Sequence, residues 1–181
     1  MIESPQTARI YDEFLVTLVW SGDRGAAERM ARRWHPRLLR TARRMLGDEE
    51  QARSAVQVCW LSIMRGIGGL KDPARFAPWA FEILRRRCAD TIRRQTAARN
   101  RDGGEADETQ SVAATADEAI AIRQAFATLP PDQRLAAQLF FVEGLTLAEI
   151  AEVQDVPEGT VKSRLFHARR RLKAALSGDD L

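Results

Sequence analysis

Two helix-start patterns, nine residues apart near the C-terminus, constrain the fold of this chain more than any other feature. Residues 146–149, Thr-Leu-Ala-Glu, have the spacing of a capping box, in which a hydroxyl and a carboxylate each bond a free backbone amide. Residues 155–158, Asp-Val-Pro-Glu, repeat that spacing. Because only residues 154–156 remain for the turn, the sequence predicts a helix-turn-helix.

The other patterned segments also have helical spacing. Apolar residues recur at steps of three and four after Asp23, after Asp48, and from about residue 75 to residue 96. Pro36 should bend or split the helix that contains it. Residues 97–117 lack a period and hold one large apolar residue, which is typical of a flexible linker. We therefore expect an all-α chain of two small helical domains, 1–96 and 118–181, joined by the linker 97–117.

Charge divides the chain in the same way. The net charge of +3 comprises +7 over positions 1–94, −4 over 95–118 and zero over 119–181. No apolar run approaches the ~20 residues of a membrane span, and no secretory signal is visible, so we expect a cytoplasmic protein without membrane insertion. Cys59 and Cys88 lack metal-ligand spacing and read as reduced core thiols. His35 and His167 belong to no nucleophile–base set, so we expect no enzyme activity, cofactor, metal or small-molecule substrate.

The last helix has one apolar and one basic side. Val161, Leu165, Ala168, Leu172 and Leu176 form a stripe that should pack inward. The opposite side carries Ser163, Phe166, His167 and Arg170, flanked by further basic residues, and positions 162–173 hold six basic residues and no acid. A helix in the DNA major groove needs such a face. The alternative is an ordinary basic helix exposed to solvent, whose cations are favoured near the C-terminus by the helix macrodipole. That alternative does not explain why Phe166 should point outward.

A second basic helix occupies about residues 75–96. Its arginines outnumber the two nearby acids, Glu82 and Asp90. One interpretation is an ordinary solvated face, and the other is a phosphate track beside aromatic side chains. Composition alone favours neither.

Longer motifs add a family resemblance. Residues 129–172, with LPPDQR, FFVEGLTLAEIAE and VPEGTVKSRLFHARRRL, resemble region four of bacterial extracytoplasmic-function sigma factors. Residues 11–94 resemble region two of the same group, most clearly in Phe76-x-x-Trp79 and in the basic helix that ends with Arg93 and Arg94. The resemblance implies a promoter-specificity subunit whose partners are core RNA polymerase, through the clamp helices of its largest subunit and its flap, promoter DNA, and an anti-sigma factor.

The resemblance also implies roles for particular residues. Region four should read the −35 element and region two should melt the −10 element, with a flipped base captured by the loop 66–74. The expected −35 contacts are Thr160, Lys162, Ser163, Arg164, Phe166, His167 and Arg170. The expected −10 contacts are Lys71, Arg75, Phe76, Trp79, Arg86, Arg87, Arg93 and Arg94. The expected polymerase contacts are Arg53, Ser54, Gln57 and Leu61.

Two positions depart from the family pattern. Ser54 stands where many relatives carry an acid, so docking on polymerase should be weaker or should depend on Arg53, Gln57 and Leu61. Arg86 replaces a frequent asparagine, and a guanidinium cannot supply the paired donor and acceptor that an amide offers to adenine. These departures favour an alternative, a sigma mimic that sequesters an anti-sigma factor, whereas the intact basic helix argues against it. A stand-alone helix-turn-helix repressor would leave residues 11–94 unexplained.

Overall fold

A computed structural model describes residues 5–102 and 117–177, and within these ranges every regular element is helical. The first unit comprises α1 (Pro5–Trp20), α2 (Arg24–Leu46), α3 (Glu49–Gly66) and α4 (Phe76–Asp102), with short 3₁₀ turns at Ile67–Gly69 and Pro73–Arg75. The second comprises α5 (Asp117–Ala127), α6 (Pro131–Ala137), a π-helical turn (Gln138–Val142), α7 (Leu147–Gln154) and α8 (Glu158–Ser177). The all-α prediction is confirmed.

Aromatic packing organises the core of the first unit. The rings of Trp34 and Phe76 meet edge to face with centroids 4.9 Å apart, and Phe81 lies 5.8 Å from Trp34. All three side chains are almost completely buried. Aromatic pairs of this kind stabilise a core by more than the apolar area they bury would. The indole N–H of Trp34 also has a hydrogen-bond partner, since it donates to Asp12 Oδ1 at 3.0 Å.

The ends of α2 follow the sequence signals, and the helix continues through Pro36. Asp23 accepts a hydrogen bond from the Ala26 amide, and Gly47 ends the helix in the left-handed conformation at φ 71°. Pro36 was expected to bend or split this helix, yet α2 is assigned as one helix through it. Trp34 and Leu38, on either side, are fully buried, and their packing stabilises the helix across the missing amide donor. The helix is therefore not split at Pro36.

Helix α4 extends beyond the predicted end of the first domain. It continues to Asp102, and α5 begins at Asp117, so seven residues of the segment 97–117 predicted as linker are helical. Residues 103–116, which make up most of that segment, lie outside the described residues.

The helix-turn-helix is present, with one capping box instead of two. Thr146 accepts from the Glu149 amide at 3.2 Å and Glu149 accepts from the Thr146 amide at 2.7 Å, which confirms the first box. Asp155 was expected to cap α8, but its φ of 54° places it in the left-handed region, and it terminates α7 by donating to the carbonyls of Ala151 and Glu152. A helix-starting residue needs extended backbone, so the second box is wrong. The Pro157 carbonyl accepts the first hydrogen bonds of α8.

The two units pack against each other. Buried residues of both contribute to one apolar cluster, in which Leu135, Leu139 and Ile150 join the core of the first unit. Helix α7 contacts α4, and α6 contacts α2. Arginines from the first unit bond carboxylates of the second around this apolar contact, in the pairs Arg9–Glu149, Arg37–Glu143, Arg40–Glu143 and Arg75–Glu152.

Candidate nucleic-acid interface

Helix α8 presents the predicted two faces. Val161 and Ala168 are fully buried and Leu165 is 9% exposed, so this part of the stripe anchors the helix to its unit. Leu176 was also expected to pack inward, but it is 52% exposed, because α8 extends beyond the body of the unit there.

The opposite face of α8 is open to solvent. Lys162, Ser163, His167 and Arg170 are exposed, and Phe166 is 66% exposed. The Phe166 and His167 rings lie edge to face with centroids 5.5 Å apart. Together they form a continuous surface of cations, hydrogen-bonding groups and one apolar ring. Each of these groups has a complement on the edge of a base pair in the major groove.

Two of the predicted −35 contacts are partly enclosed. Thr160 is half-buried at the start of α8. The Arg164 side chain is 21% exposed, and its guanidinium donates to Gln154 Oε1 at 2.8 Å and to Asp132 Oδ2 at 2.7 Å. Arg164 therefore fixes α8 against α6 and α7, a structural role that the helical period alone did not reveal.

The loop from residue 66 to residue 74 is held by tryptophans and a cap. Trp20 Nε1 donates to the Ile67 carbonyl at 2.7 Å, and Asp72 accepts from the Ala74 amide at 2.9 Å. A Cβ on Gly66 would lie 3.1 Å from the Trp79 ring, so glycine allows this close approach. Lys71 is exposed at the centre of the loop.

Phe76 does not lie on the surface of this region. It was expected among the −10 contacts, but it is 1% exposed and packs on Trp34, so its ring cannot contact DNA in this arrangement. Trp79 is half-buried, with its ring centroid 6.1 Å from that of Phe76. Phe76 therefore supports Trp79 from beneath, and only Trp79 of the pair is accessible.

The arginines at the start and on the outer side of α4 are more extensively paired than their number suggests. Arg75 pairs with Glu152 of α7, and Arg86 pairs with Glu82. Asp90 pairs with Arg93 and lies 3.7 Å from Arg87, which also donates to Ser62 Oγ at 2.9 Å. Exposed pairs of this kind contribute little free energy, so phosphates can compete for these guanidiniums. Arg94 is exposed beyond them.

The outer face of α3 carries the predicted polymerase contacts. Arg53, Ser54 and Gln57 are exposed, and Leu61 is 52% exposed. Arg53 Nε bonds Glu49 at 2.8 Å. Sequence reasoning missed Val58 and Met64, each 40% exposed on the same face. The sequence could have indicated both residues, because they are apolar but do not belong to the stripe of α3 that packs inward.

Comparison with known proteins identifies the family. Residues 30–98 match the family described as Sigma-70 region 2, and residues 119–172 match Sigma-70, region 4. The ECF RNA polymerase sigma factor SigM of Mycobacterium tuberculosis is 35% identical over 156 residues, which cover 86% of this chain and 80% of the relative. The chain belongs to the extracytoplasmic-function group of the sigma-70 family. The resemblance stated from the motifs is thus confirmed.

Other sigma factors have related sequences and folds. The RNA polymerase sigma-H factor of Pseudomonas aeruginosa is 28% identical, with 91% of this chain and 93% of the relative covered. Two solved structures share the fold. CnrH in complex with the cytosolic domain of CnrY has a TM-score of 0.68 and 23% identity, covering 94% of this chain and 99% of that one. RpoE of Bartonella quintana with the anti-sigma factor NepR has a TM-score of 0.73 and 24% identity, covering 84% and 98%.

As a member of this family the chain is an RNA polymerase sigma factor. No described helix, in either range, combines the length and apolar character needed to cross a membrane.

Proposed function

We propose that this sigma factor directs core RNA polymerase to promoters by reading the −35 element with α8 and opening the −10 element with α4 and the loop at residues 66–74. The observation that carries the proposal is the exposed face of α8, where Phe166 stands among Lys162, Ser163, His167 and Arg170. An aromatic ring two-thirds exposed within a basic face loses contact with water when it packs on a thymine methyl group.

The first unit supplies a surface for strand opening. Trp79 is half-buried on α4 and Arg86, two helical turns later, is exposed, so an aromatic ring and a cation lie on the same side of the helix. Lys71 is exposed in the loop before α4. Extruding a base costs a few kcal/mol, and stacking together with phosphate contacts offsets that cost. Arg86 forms an exposed pair with Glu82, which a phosphate can replace. Its guanidinium has donors but no acceptor, so it cannot offer adenine the paired hydrogen bonds of an amide.

The polymerase should dock on α3. Leu61, Val58 and Met64 form an exposed apolar patch, and Gln57, Ser54 and Arg53 add polar groups beside it. Exposed apolar patches rimmed by polar groups are typical of protein-binding surfaces. An anti-sigma factor is the further partner we expect, since CnrH and RpoE have this fold and were solved with CnrY and with the anti-sigma factor NepR.

Run-off transcription with core polymerase and a promoter library tests the proposal. We expect promoter-specific transcripts only when this chain is added. Absence of specific initiation, with core polymerase shown to be active, would reject the proposal and favour the mimic that sequesters an anti-sigma factor.

Duplex binding tests the α8 face directly. Lys162→Ala and Phe166→Ala should each weaken binding to a −35 duplex by about tenfold, the value of one base contact, while affinity for core polymerase stays unchanged. Phe141→Ala is the matched control, because Phe141 is 51% exposed outside α8. If both α8 variants bind duplex like the parent chain, the face assignment is wrong.

A further inference from the structure

A cavity of about 360 Å³ lies where the two units meet. Its walls come from α2, α4 and α6, with Gln138 of the π-helical turn, Gln154 at the end of α7 and Arg164 of α8. Ligand pockets for small molecules begin at about this volume. The walls carry both charge and apolar surface, with Met45, Ala89, Ile92 and Leu135 on the apolar side.

The charge on these walls is strongly unbalanced. Four arginines line the cavity, namely Arg44, Arg85, Arg134 and Arg164, and Asp132 is the single carboxylate among the described residues that line it. Asp132 already accepts from Arg164 at 2.7 Å. Like charges gathered at a partly desolvated site repel one another, so the cavity favours an anion.

Of the four arginines that line the cavity, Arg85 has the fewest hydrogen-bond partners. Its Nε is buried without a hydrogen-bond partner, and no hydrogen bond or ion pair joins it to any residue in the described ranges. Arg85 is half-buried, and a buried N–H group without an acceptor costs free energy. Arg85 therefore lacks the acceptor that a bound anion would supply.

Arg134 has backbone partners but no carboxylate within the described part of the chain. Its guanidinium donates to the carbonyls of Ala127 at 2.6 Å, Leu129 at 3.0 Å and Arg44 at 3.3 Å, while its Nε is buried without a partner. Burial lowers the pKa of Arg134, because desolvation penalises the charged form. An anion in the cavity would offset that penalty.

We propose that this cavity binds a small polyphosphate, of the inorganic pyrophosphate or nucleoside polyphosphate class, with Arg85 as its main contact. The planar guanidinium fork matches phosphate oxygens and forms paired hydrogen bonds with them. Several arginines require several negative charges, and the apolar wall at Met45 and Ile92 can accommodate a base. Because both units line the cavity, the ligand stabilises their packed arrangement. The proposal does not depend on promoter recognition.

Titration calorimetry of the full chain with inorganic pyrophosphate tests the site. We expect saturable binding of one pyrophosphate per chain and a melting temperature that rises with its concentration, as for any ligand selective for the folded state. Arg85→Gln should weaken binding at least tenfold, and Arg85→Lys should give an intermediate loss because it keeps the charge but not the fork.

The matched control is Arg32→Gln, which removes the same charge from an exposed pair with Glu28 on α2. It should bind pyrophosphate within about twofold of the parent chain. Circular dichroism verifies that each variant is folded. If Arg85→Gln does not fold, the pyrophosphate affinity of Arg85→Lys is compared with that of the parent chain instead. Absence of saturable binding, or an equal loss in the Arg85 and Arg32 variants, would overturn the proposal.

Two further ligands separate free polyphosphate from the nucleic-acid backbone. Adenosine triphosphate should compete with pyrophosphate and should lose affinity in Arg85→Gln. A single-stranded oligonucleotide should neither displace pyrophosphate nor depend on Arg85. Displacement of pyrophosphate by the oligonucleotide, together with an equal dependence on Arg85, would assign the cavity to nucleic acid and overturn the proposal.

Discussion

Arg37 of α2 donates through Nε to a carboxylate oxygen of Glu143 at 2.8 Å, across the contact between the two helical units. The Glu143 side chain is completely enclosed, and it also accepts from Arg40 at 2.9 Å and from Gln138 Nε2 at 3.1 Å. The Arg37 guanidinium lies 3.9 Å from the centroid of the Trp34 ring. Glu143 thus links the second unit to the aromatic core of the first.

Removing this carboxylate should loosen the contact between the units. Glu143→Ala removes the carboxylate that Arg40 bonds and leaves Arg37 with the more distant carboxylate of Asp12 at 3.7 Å and a backbone carbonyl. We expect the free energy of unfolding to fall by about 2–3 kcal/mol. Urea denaturation measures the change. Glu152→Ala is the control at the same contact, because the Arg75–Glu152 pair is exposed on both sides and should contribute under about 1 kcal/mol. Equal losses in the two variants would contradict the prediction.

Substitutions of Phe76 should separate packing from DNA contact. Because the ring is buried against Trp34, Phe76→Ala should lower the free energy of unfolding by about 3–5 kcal/mol. Phe76→Leu keeps most of the volume and should retain both the fold and binding to a −10 fork substrate, measured by fluorescence anisotropy. A folded Phe76→Leu chain that has lost fork binding would restore Phe76 as a direct contact.

The capping box at α7 should make stability depend on pH. Burial raises the pKa of Glu149, but hydrogen bonds from Thr146 and the charge of Arg9 outweigh it, so the net pKa lies below the ordinary value. The stabilisation from ionised Glu149 is therefore present above the ordinary glutamate pKa of about 4.3 and is lost as pH falls through the lowered value.

Glu149→Gln should remove this dependence. We expect the variant to be less stable at pH 7 and to lose less stability than the parent chain on acidification from about pH 5 to 3. Urea titrations at several pH values provide the measurement. Glu28→Gln, at an exposed position, should follow the parent curve, and a Glu149 variant that also follows it would contradict the assignment.

The two thiols should be unreactive while the chain is folded. Burial raises the pKa of Cys59 and of Cys88 to about 12, and the thiolate is the reactive form. Ellman's reagent at pH 8 should therefore label neither cysteine rapidly in native buffer and both in urea. Fast labelling of the native chain would show that the core around α3 and α4 opens readily.

The spacing of apolar residues was sufficient to predict α8, because a helix packed on one side has a buried residue at every third or fourth position and exposed residues between them. The face that carries Phe166 therefore followed from spacing alone. The same reasoning could not locate Phe76, since the motif Phe-x-x-Trp specifies two aromatic residues but does not indicate which of them points inward. The burial of Phe76 depends on its packing in the core, where Trp34 meets it edge to face.

Other features depend on contacts between residues far apart in the chain. The pairing of Glu143 with Arg37 and the cavity beside Arg85 require the two units to meet, which no local pattern specifies. Asp155 shows a different limit, because aspartate suits both the start of a helix and a left-handed turn. The residue types at positions 155–158 fit a capping box, but the backbone of Asp155 adopts the left-handed conformation of a turn.

The length of α4 limits how far the two units can separate. The helix reaches Asp102 and the next begins at Asp117, so the covalent path between them is shorter than the 21 residues predicted for the linker. A fully extended chain advances at most about 3.6 Å per residue, so the 15 steps from Asp102 to Asp117 confine the start of α5 to within about 54 Å of the end of α4. Any promoter that engages both units at once must satisfy that bound.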